Sequence, residues 1–504
     1  MNINKDPIKK IAIVGGGTAG WFAASTLISV FKSSGLQIEL IESEEIGIIG
    51  VGEATIPPLI SVLHGLNINL VDFIKATQGT FKLGIQFEDW HTKGEHFFHP
   101  FGSIGKPIDG YDFFQCWLKC RAEGDKTPLM AHSPETILAS KNKFFPPFDV
   151  KNTPLERADY ALHLDSGLAG KFLRDFSEKK GVVRTEGKVE TVQQHPNGDI
   201  KSVTLASGQV IEADFFIDCS GFKGLLIEET LKVGYEDWSQ YLPCNKAVTV
   251  QTDNVGEPAP YTVAKAREAG WTWRIPLQHR TGNGYVFCDK FISDEQAKAT
   301  LLDSIQGQPL MEPRFIPFTT GMRNKTWHKN CLSLGLAQGF LEPLESTAIH
   351  LVTKSLAVFI RMFPASTHNE TLVNEYNRAI RKDYEEIRDF LVLHYCTTAR
   401  DDSEFWRSCQ TMEIPESLQY KIDYYKVAGG LNIKAEELFQ STSWHAVFHG
   451  MHVEPSRYNP TLDTWQAEKL KSILAQGAQG LANICDKQPS HKQFIQQYCS
   501  APKL

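Results

Sequence analysis

The feature that most constrains the fold is Gly15-x-Gly17-x-x-Gly20, set between an apolar run, Lys10-Ile11-Ala12-Ile13-Val14, and a helix-compatible stretch from Trp21 to Phe31. A second apolar run, Gln37-Ile38-Glu39-Leu40-Ile41, ends at Glu42, twenty-two positions beyond Gly20. Strand, glycine turn, helix and a second strand closed by an acid form a βαβ unit of the dinucleotide-binding kind. Gly15, Gly17, Thr18, Ala19 and Gly20 present backbone amides to a pyrophosphate at a helix N-terminus, and Glu42 accepts from a ribose hydroxyl. FAD and NAD both satisfy this pattern.

A chain of 504 residues is long enough for about three domains and a sizeable core. Lys and Arg number 52 and Asp and Glu 59, so the balance is 52 − 59 = −7 without long like-charge blocks. That argues against nucleic acid and against a polybasic membrane anchor. No apolar run approaches the roughly 20 residues that span a bilayer, so no membrane association is expected. The opening residues Met1 to Pro7 lack a charged-then-apolar leader, and a cytoplasmic location is expected. Of ten cysteines only Cys116 and Cys120 are close, with no second pair at zinc spacing beside them. Reduced buried thiols and no metal site are therefore expected.

Further strands are expected in residues 187–205, with a turn at Pro196-Asn197-Gly198, and in residues 213–218. They imply a nucleotide-binding core assembled from distant segments. Residues 85–150 read as a Phe- and His-rich insertion, and residues 240–325, rich in β-formers and Trp, as a second sheet. Tyr376, Ile380, Tyr384, Ile387 and Leu391 recur at helical spacing. The predicted class is α/β, a Rossmann-like fold with an inserted β-rich substrate region and a helical C-terminal cap. The predicted division places the dinucleotide-binding and substrate part, with insertions 85–150 and 240–325, in residues 1–364 and the cap in 365–504.

Several separate motifs then give the chain a resemblance to the flavin-dependent halogenases of the tryptophan and indole type. Trp271-Thr272-Trp273-Arg274-Ile275-Pro276 resembles the family's Trp-x-Trp-x-Ile-Pro signature, and Gly50-Val51-Gly52-Glu53-Ala54-Thr55 its flavin strap. Asp218-Cys219-Ser220-Gly221-Phe222 resembles the strand end that returns to the flavin, and Phe340 to Thr347 the catalytic-glutamate and halide loop. The resemblance implies a fold of the flavin monooxygenase type binding FAD, with Gly52, Ala54, Asp218 and Leu336 added to the cofactor set. FAD would arrive as FADH2 from a separate NAD(P)H-dependent flavin reductase and react with oxygen to a flavin hydroperoxide. A halide ion, chloride or bromide, held by Ser346, Thr347 and Ala348, would then yield hypohalous acid for a separate pocket. Tryptophan halogenases carry Gly where this chain has Ala348.

By its residues alone, Lys82 between Phe81 and Leu83 reads as a snorkelling surface lysine. The resemblance makes it the catalytic lysine, acting as a hydrogen-bond donor to hypohalous acid or as a halogenated amine. Glu345 reads as a carboxylate satisfying amides at a helix start, and by resemblance as the group that stabilises the cationic ring intermediate and takes its proton. His99 and Phe101 read as core residues, or by resemblance as the pair flanking an aromatic substrate. Trp271 and Trp273 read equally as large core residues or, by resemblance, as rings that keep substrates away from the flavin, and neither is assigned as catalytic.

Tryptophan-specific relatives carry paired tyrosines and a glutamate in the C-terminal region. Here the stretch reads Glu436-Glu437-Leu438-Phe439-Gln440-Ser441-Thr442-Ser443-Trp444-His445, without the tyrosines. Indole or a simple indole derivative is therefore the expected substrate, with free tryptophan second. A flavin aromatic hydroxylase is the rival enzyme, disfavoured because Gly335-Leu336-Ala337 stands where hydroxylases usually place Gly-Asp. A flavin-binding protein without catalysis is the third reading.

Overall fold

A computed structural model describes residues 7–45, 52–364 and 369–504. Gly50 and Val51 of the expected flavin strap lie outside the described residues. The chain forms two compact units, each built from three separated segments.

The first unit comprises Met1–Thr77, Leu164–Ser239 and Phe318–Glu385. Its sheet runs in the order Trp327–His328, Cys331–Ser333, Phe215–Asp218, Lys10–Val14, Gln37–Glu42, Val183–Glu186. All neighbours are parallel except the Trp327–His328 edge. Ile11, Ala12, Ile13, Leu40, Phe216, Ile217 and Leu332 are buried, which explains why these strands read as continuous apolar runs: a parallel sheet is covered on both faces. Helix Thr18–Phe31 packs against helices Ser166–Lys180 and Ala348–Arg361. The expected strands at 187–205 are Val189–Gln194 and Ile200–Leu205, paired antiparallel. Ile200, Val203, Leu205 and Ile211 share one apolar cluster with Phe216 and Leu226.

The second unit comprises Gln78–His163, Gln240–Pro317 and Glu386–Leu504. Its seven-stranded sheet has the order Arg314–Pro317, Lys246–Thr252, Thr281–Phe287, Gly270–Pro276, Thr262–Arg267, Gly84–Glu88, His96–Pro100. Only the pairing of Thr262–Arg267 with Gly84–Glu88 is parallel. The expected second sheet is thus present, and the 85–150 insertion gives it two strands. Helices dominate from Glu370 onward. Helix Glu370–Cys396, whose residues through Glu385 belong to the first unit, carries the expected stripe, with Tyr376, Ile380, Tyr384, Ile387 and Leu391 all buried. Among the described residues no single helix is long and apolar enough to cross a membrane. All ten cysteines are free thiols.

Candidate active site

On the first unit, the turn after strand Lys10–Val14 crosses over the sheet with Gly15 at φ +117°, where a Cβ would fall 2.2 Å from the Cys219 carbonyl oxygen. Only glycine fits there. Gly17 is different: its φ is −71°, and a Cβ on it would meet no protein atom within 4 Å. Its bareness serves no internal packing and leaves room above the first turn of helix Thr18–Phe31. The first helical hydrogen bond is Trp21 N–H to Gly17 O at 3.1 Å, so the preceding amides of Thr18, Ala19 and Gly20 have no intrahelical acceptor. The cradle fits a dinucleotide pyrophosphate.

Glu42 closes the second strand as expected, but it is already engaged. Arg184 Nε lies 2.5 Å from its Oε1 and Trp21 Nε1 3.1 Å from its Oε2. Each carboxylate oxygen keeps a lone pair, so a ribose hydroxyl can still donate to it. Arg184 and Trp21 hold the acceptor in place.

Asp218 is fully buried. Its carboxylate accepts from the Ser220 amide and hydroxyl at 2.9 and 2.6 Å and from the Leu226 and Ile227 amides at 2.8 Å each. With four donors from its own chain, this side chain shapes the Cys219-Ser220-Gly221 turn against which Gly15 packs. Gly52 is buried with φ +87°, Ala54 is buried, and Leu336 lies half-buried in the 3-10 turn Gly335–Ala337.

Glu345 is fully buried at the end of the 3-10 turn Pro343–Glu345, which sequence analysis did not distinguish from a helix start. Ser346 follows in the left-handed region, φ 61°, a conformation non-glycine residues adopt at a cost and often at functional turns. The Ser346 amide donates to Pro343 O at 3.1 Å, so the three consecutive amides expected to face a halide reduce to two. Thr347 and Ala348 begin helix Ala348–Arg361, where Thr347 makes no side-chain cap, and the early amides of a helix suit an anion.

On the second unit, Lys82 ends strand Thr80–Lys82 and is fully buried. The snorkelling reading is thereby excluded. Its Nζ lies 5.1 Å from the Phe101 ring centroid, within cation–π range. Gly84 lets this happen: a Cβ there would fall 2.3 Å from His99 O and into the Phe98 ring. The pairing of Ile85 with His99 and Gly84 with Pro100 then brings Lys82 and Phe101 together.

Strand Thr80–Lys82 is held by the Phe81 amide, which donates to His491 Nε2 at 3.1 Å, and by a chain of hydroxyls around the His163 imidazole. The Thr80 hydroxyl lies 2.6 Å from the Pro276 carbonyl and 3.0 Å from His163 Nδ1. A carbonyl only accepts, so the single Thr80 proton goes to Pro276 and His163 Nδ1–H donates to Thr80. Nε2 of His163 then accepts from the Thr262 hydroxyl at 2.9 Å. Burial, followed by the charges of Lys82 and His491, holds the His163 imidazole well below its ordinary pKa. It is neutral, in the Nδ1–H tautomer. Trp271 and Trp273 are buried on strand Gly270–Pro276, with Trp271 beside Trp90.

His99 is buried among aromatic rings, its centroid 5.6 Å from Phe390 and 6.3 Å from Phe439, which stack on each other at 3.8 Å. Beside Phe101, Gly102 backs onto Glu135, a fully buried carboxyl group. Burial pushes the Glu135 pKa from 4.5 up to about 8, against hydrogen bonds from the Asp159 amide and the Ser133 hydroxyl. The folded state therefore holds this proton more tightly than the unfolded chain. Stability contributed here is intact below pH 4.5 and lost as pH rises toward 8. Glu135→Gln keeps an acceptor for the Asp159 amide and should flatten that decline. Urea midpoints between pH 5 and pH 8.5 check it, with a loss of about 1–3 kcal/mol expected in the parent and little in the variant.

The sequence model for tryptophan halogenase matches residues 10–467. The chain belongs to the tryptophan halogenase family. It is 32% identical to the tryptophan 7-halogenase RebH of Lentzea aerocolonigenes over 97% of this chain and 98% of that enzyme. Its fold is similar to those of BrvH, a flavin-dependent halogenase from Brevundimonas sp. BAL3, and Xcc4156, one from Xanthomonas campestris. The TM-scores are 0.94 and 0.95, at 41% identity to each. Coverage is 98% of this chain and 99% of BrvH, and 99% and 100% for Xcc4156. As a member of the tryptophan halogenase family the chain is an enzyme, a flavin-dependent halogenase.

Within this halogenase, sequence reading assigned Lys82, His99 and Phe101, which the second unit brings together, and Glu345 with Ser346, Thr347 and Ala348, which lie on the first. It missed Arg184, Thr80, His163, Thr262, Phe390 and Glu135. The segment where tyrosines were absent supplies Phe439 against Phe390, and Trp444 5.0 Å from Phe390. Glu437 of that segment is paired with Lys421 at 2.8 Å and accepts from the Lys434 amide.

Proposed function

We propose that this halogenase acts on an electron-rich aromatic lacking an amino-acid handle, indole or a simple indole derivative. The observation that carries this reading is the surround of His99. Phe390, Phe439 and Trp444 are apolar where an amino acid would need paired polar groups, and Glu437 is committed to Lys421. A zwitterion brought there would lose hydration without gaining partners, whereas indole loses little.

The family reading makes FAD, supplied reduced by a separate flavin reductase, the cofactor, held by the Gly15–Gly20 turn and Glu42. The reduced flavin, when bound, would supply two electrons that, with two more from chloride or bromide, reduce dioxygen, one oxygen leaving as water and the other in hypohalous acid. The amides of Thr347 and Ala348 hold the halide. Lys82 positions the oxidant by hydrogen bonding, and its burial keeps bulk water from competing for that bond. Glu345 stabilises the ring cation and takes its proton. We place the enzyme in the cytoplasm, and exclude nucleic acid and membranes as partners on the charge and hydropathy patterns.

The test compares kcat/KM for indole and for tryptophan, with chloride and bromide, using a generic flavin reductase. Indole should be halogenated at least as efficiently, because specificity constants report differential transition-state binding. A preference for tryptophan of tenfold or more would overturn the substrate assignment.

A further inference from the structure

The strands Gly84–Glu88 and His96–Pro100 form a hairpin whose tip carries His91 and Glu95. The tip is rigid: the Asp89 amide donates to Glu95 O at 2.8 Å, and the Gly94 amide to Asp89 Oδ1 at 2.7 Å. His452 reaches the same place from beyond helix Ser441–Gly450, with its backbone in the left-handed region at φ 54°. The His91 and His452 rings stack, centroids 4.4 Å apart and 24° between planes. His91 Nδ1 lies 3.4 Å and His452 Nε2 3.3 Å from one and the same oxygen, Glu95 Oε2.

We propose that His91, Glu95 and His452 form a binding site for a divalent transition metal of the zinc class, with water completing the coordination. A tetrahedral ion with bonds of about 2.0–2.1 Å separates neighbouring ligand atoms by about 3.3–3.4 Å. The two nitrogen–oxygen separations match that edge, and all three ligand atoms lie within 4.8 Å of one another. Two imidazoles and one carboxylate select zinc, cobalt or nickel over magnesium and calcium, which prefer all-oxygen sets. Lys93, on the same hairpin tip, is paired with Asp402 at 2.7 Å, so its charge is offset. The Thr92 hydroxyl, 3.1 Å from His91 Nδ1, rotates away when the metal takes that lone pair.

The site's consequence is mechanical. It staples the hairpin that leads into His99 to the end of helix Ser441–Gly450, whose Gly450 already seats on the Phe97 ring. Occupancy should stiffen the strand beneath the aromatic cluster without entering it.

The test uses untagged full-length protein, stripped by chelator, titrated with zinc by calorimetry and with cobalt by absorbance. One equivalent should bind with a nitrogen and oxygen ligand spectrum and raise Tm. His91→Ala, His452→Ala and Glu95→Gln should each weaken binding at least about tenfold while leaving the metal-free Tm near the parent value, because all three side chains are partly exposed. Absence of saturable binding overturns the proposal. So does binding that survives in His91→Ala/His452→Ala, or a thiolate charge-transfer band, either of which would put the metal on other residues. Neither result bears on the halogenase reading.

Discussion

Lys82→Ala should abolish halogenated product, at least about a hundredfold below the parent, while flavin reoxidation continues at a near-normal rate. In the proposed mechanism the lysine acts on the oxidant after it forms, so the two readouts separate: absorbance follows the flavin and mass the product, in one reaction. Because Lys82 is fully buried, alanine leaves a cavity, and Lys82→Met is the companion that keeps the volume while removing the ammonium. Both variants should bind FAD. If hypohalous acid reached the ring by free diffusion, either variant would still make substantial product with altered positional selectivity, and the catalytic assignment would fail. Glu345→Gln should be milder, lowering turnover by up to about a hundredfold, because the loop keeps its shape and loses only the charge proposed to stabilise the ring cation.

The second large effect is on the cofactor. Gly17→Val should weaken FAD binding at least about a hundredfold while costing no more than about 1 kcal/mol of stability. The asymmetry follows from the turn: a side chain on Gly17 meets no protein atom, and its φ of −71° is open to any residue. The new methyls enter only the open space above Gly17, where the proposed site puts the pyrophosphate. Gly15→Val is the contrasting control, since it must displace the Cys219 carbonyl at φ +117° and should destabilise the chain itself. Full flavin affinity in folded Gly17→Val, measured by fluorescence quenching, would remove the assignment of this turn.

Local patterns were legible in the sequence because their causes are local. The glycine turn, Glu42 and the fully apolar parallel strands announce themselves within thirty-odd residues, and the helical stripe from Tyr376 to Leu391 reads directly. The Lys82, Glu345 and Trp-x-Trp-x-Ile-Pro positions were found by resemblance to a family. What escaped is what the chain supplies from far away. Arg184 reaches Glu42 across 142 positions, and Thr80 meets His163 across 83 and Pro276 across 196. No periodicity encodes such meetings. Burial was misread for Lys82 for the same reason: its immediate neighbours are those of any strand edge, and the layers that cover it come from elsewhere.

The contact between Thr80 and Pro276 changes what the tryptophan signature signifies. The signature's last residue contributes a main-chain oxygen, and that oxygen, through Thr80, helps hold the start of the strand carrying Lys82. A search keyed to the two tryptophans and the proline thus detects the mount and not the tool. A gene could keep the mount intact after the lysine is gone and still be counted as a working enzyme. Conversely, a replacement of Pro276 that fits the same buried site and leaves the backbone oxygen where Thr80 needs it keeps the contact.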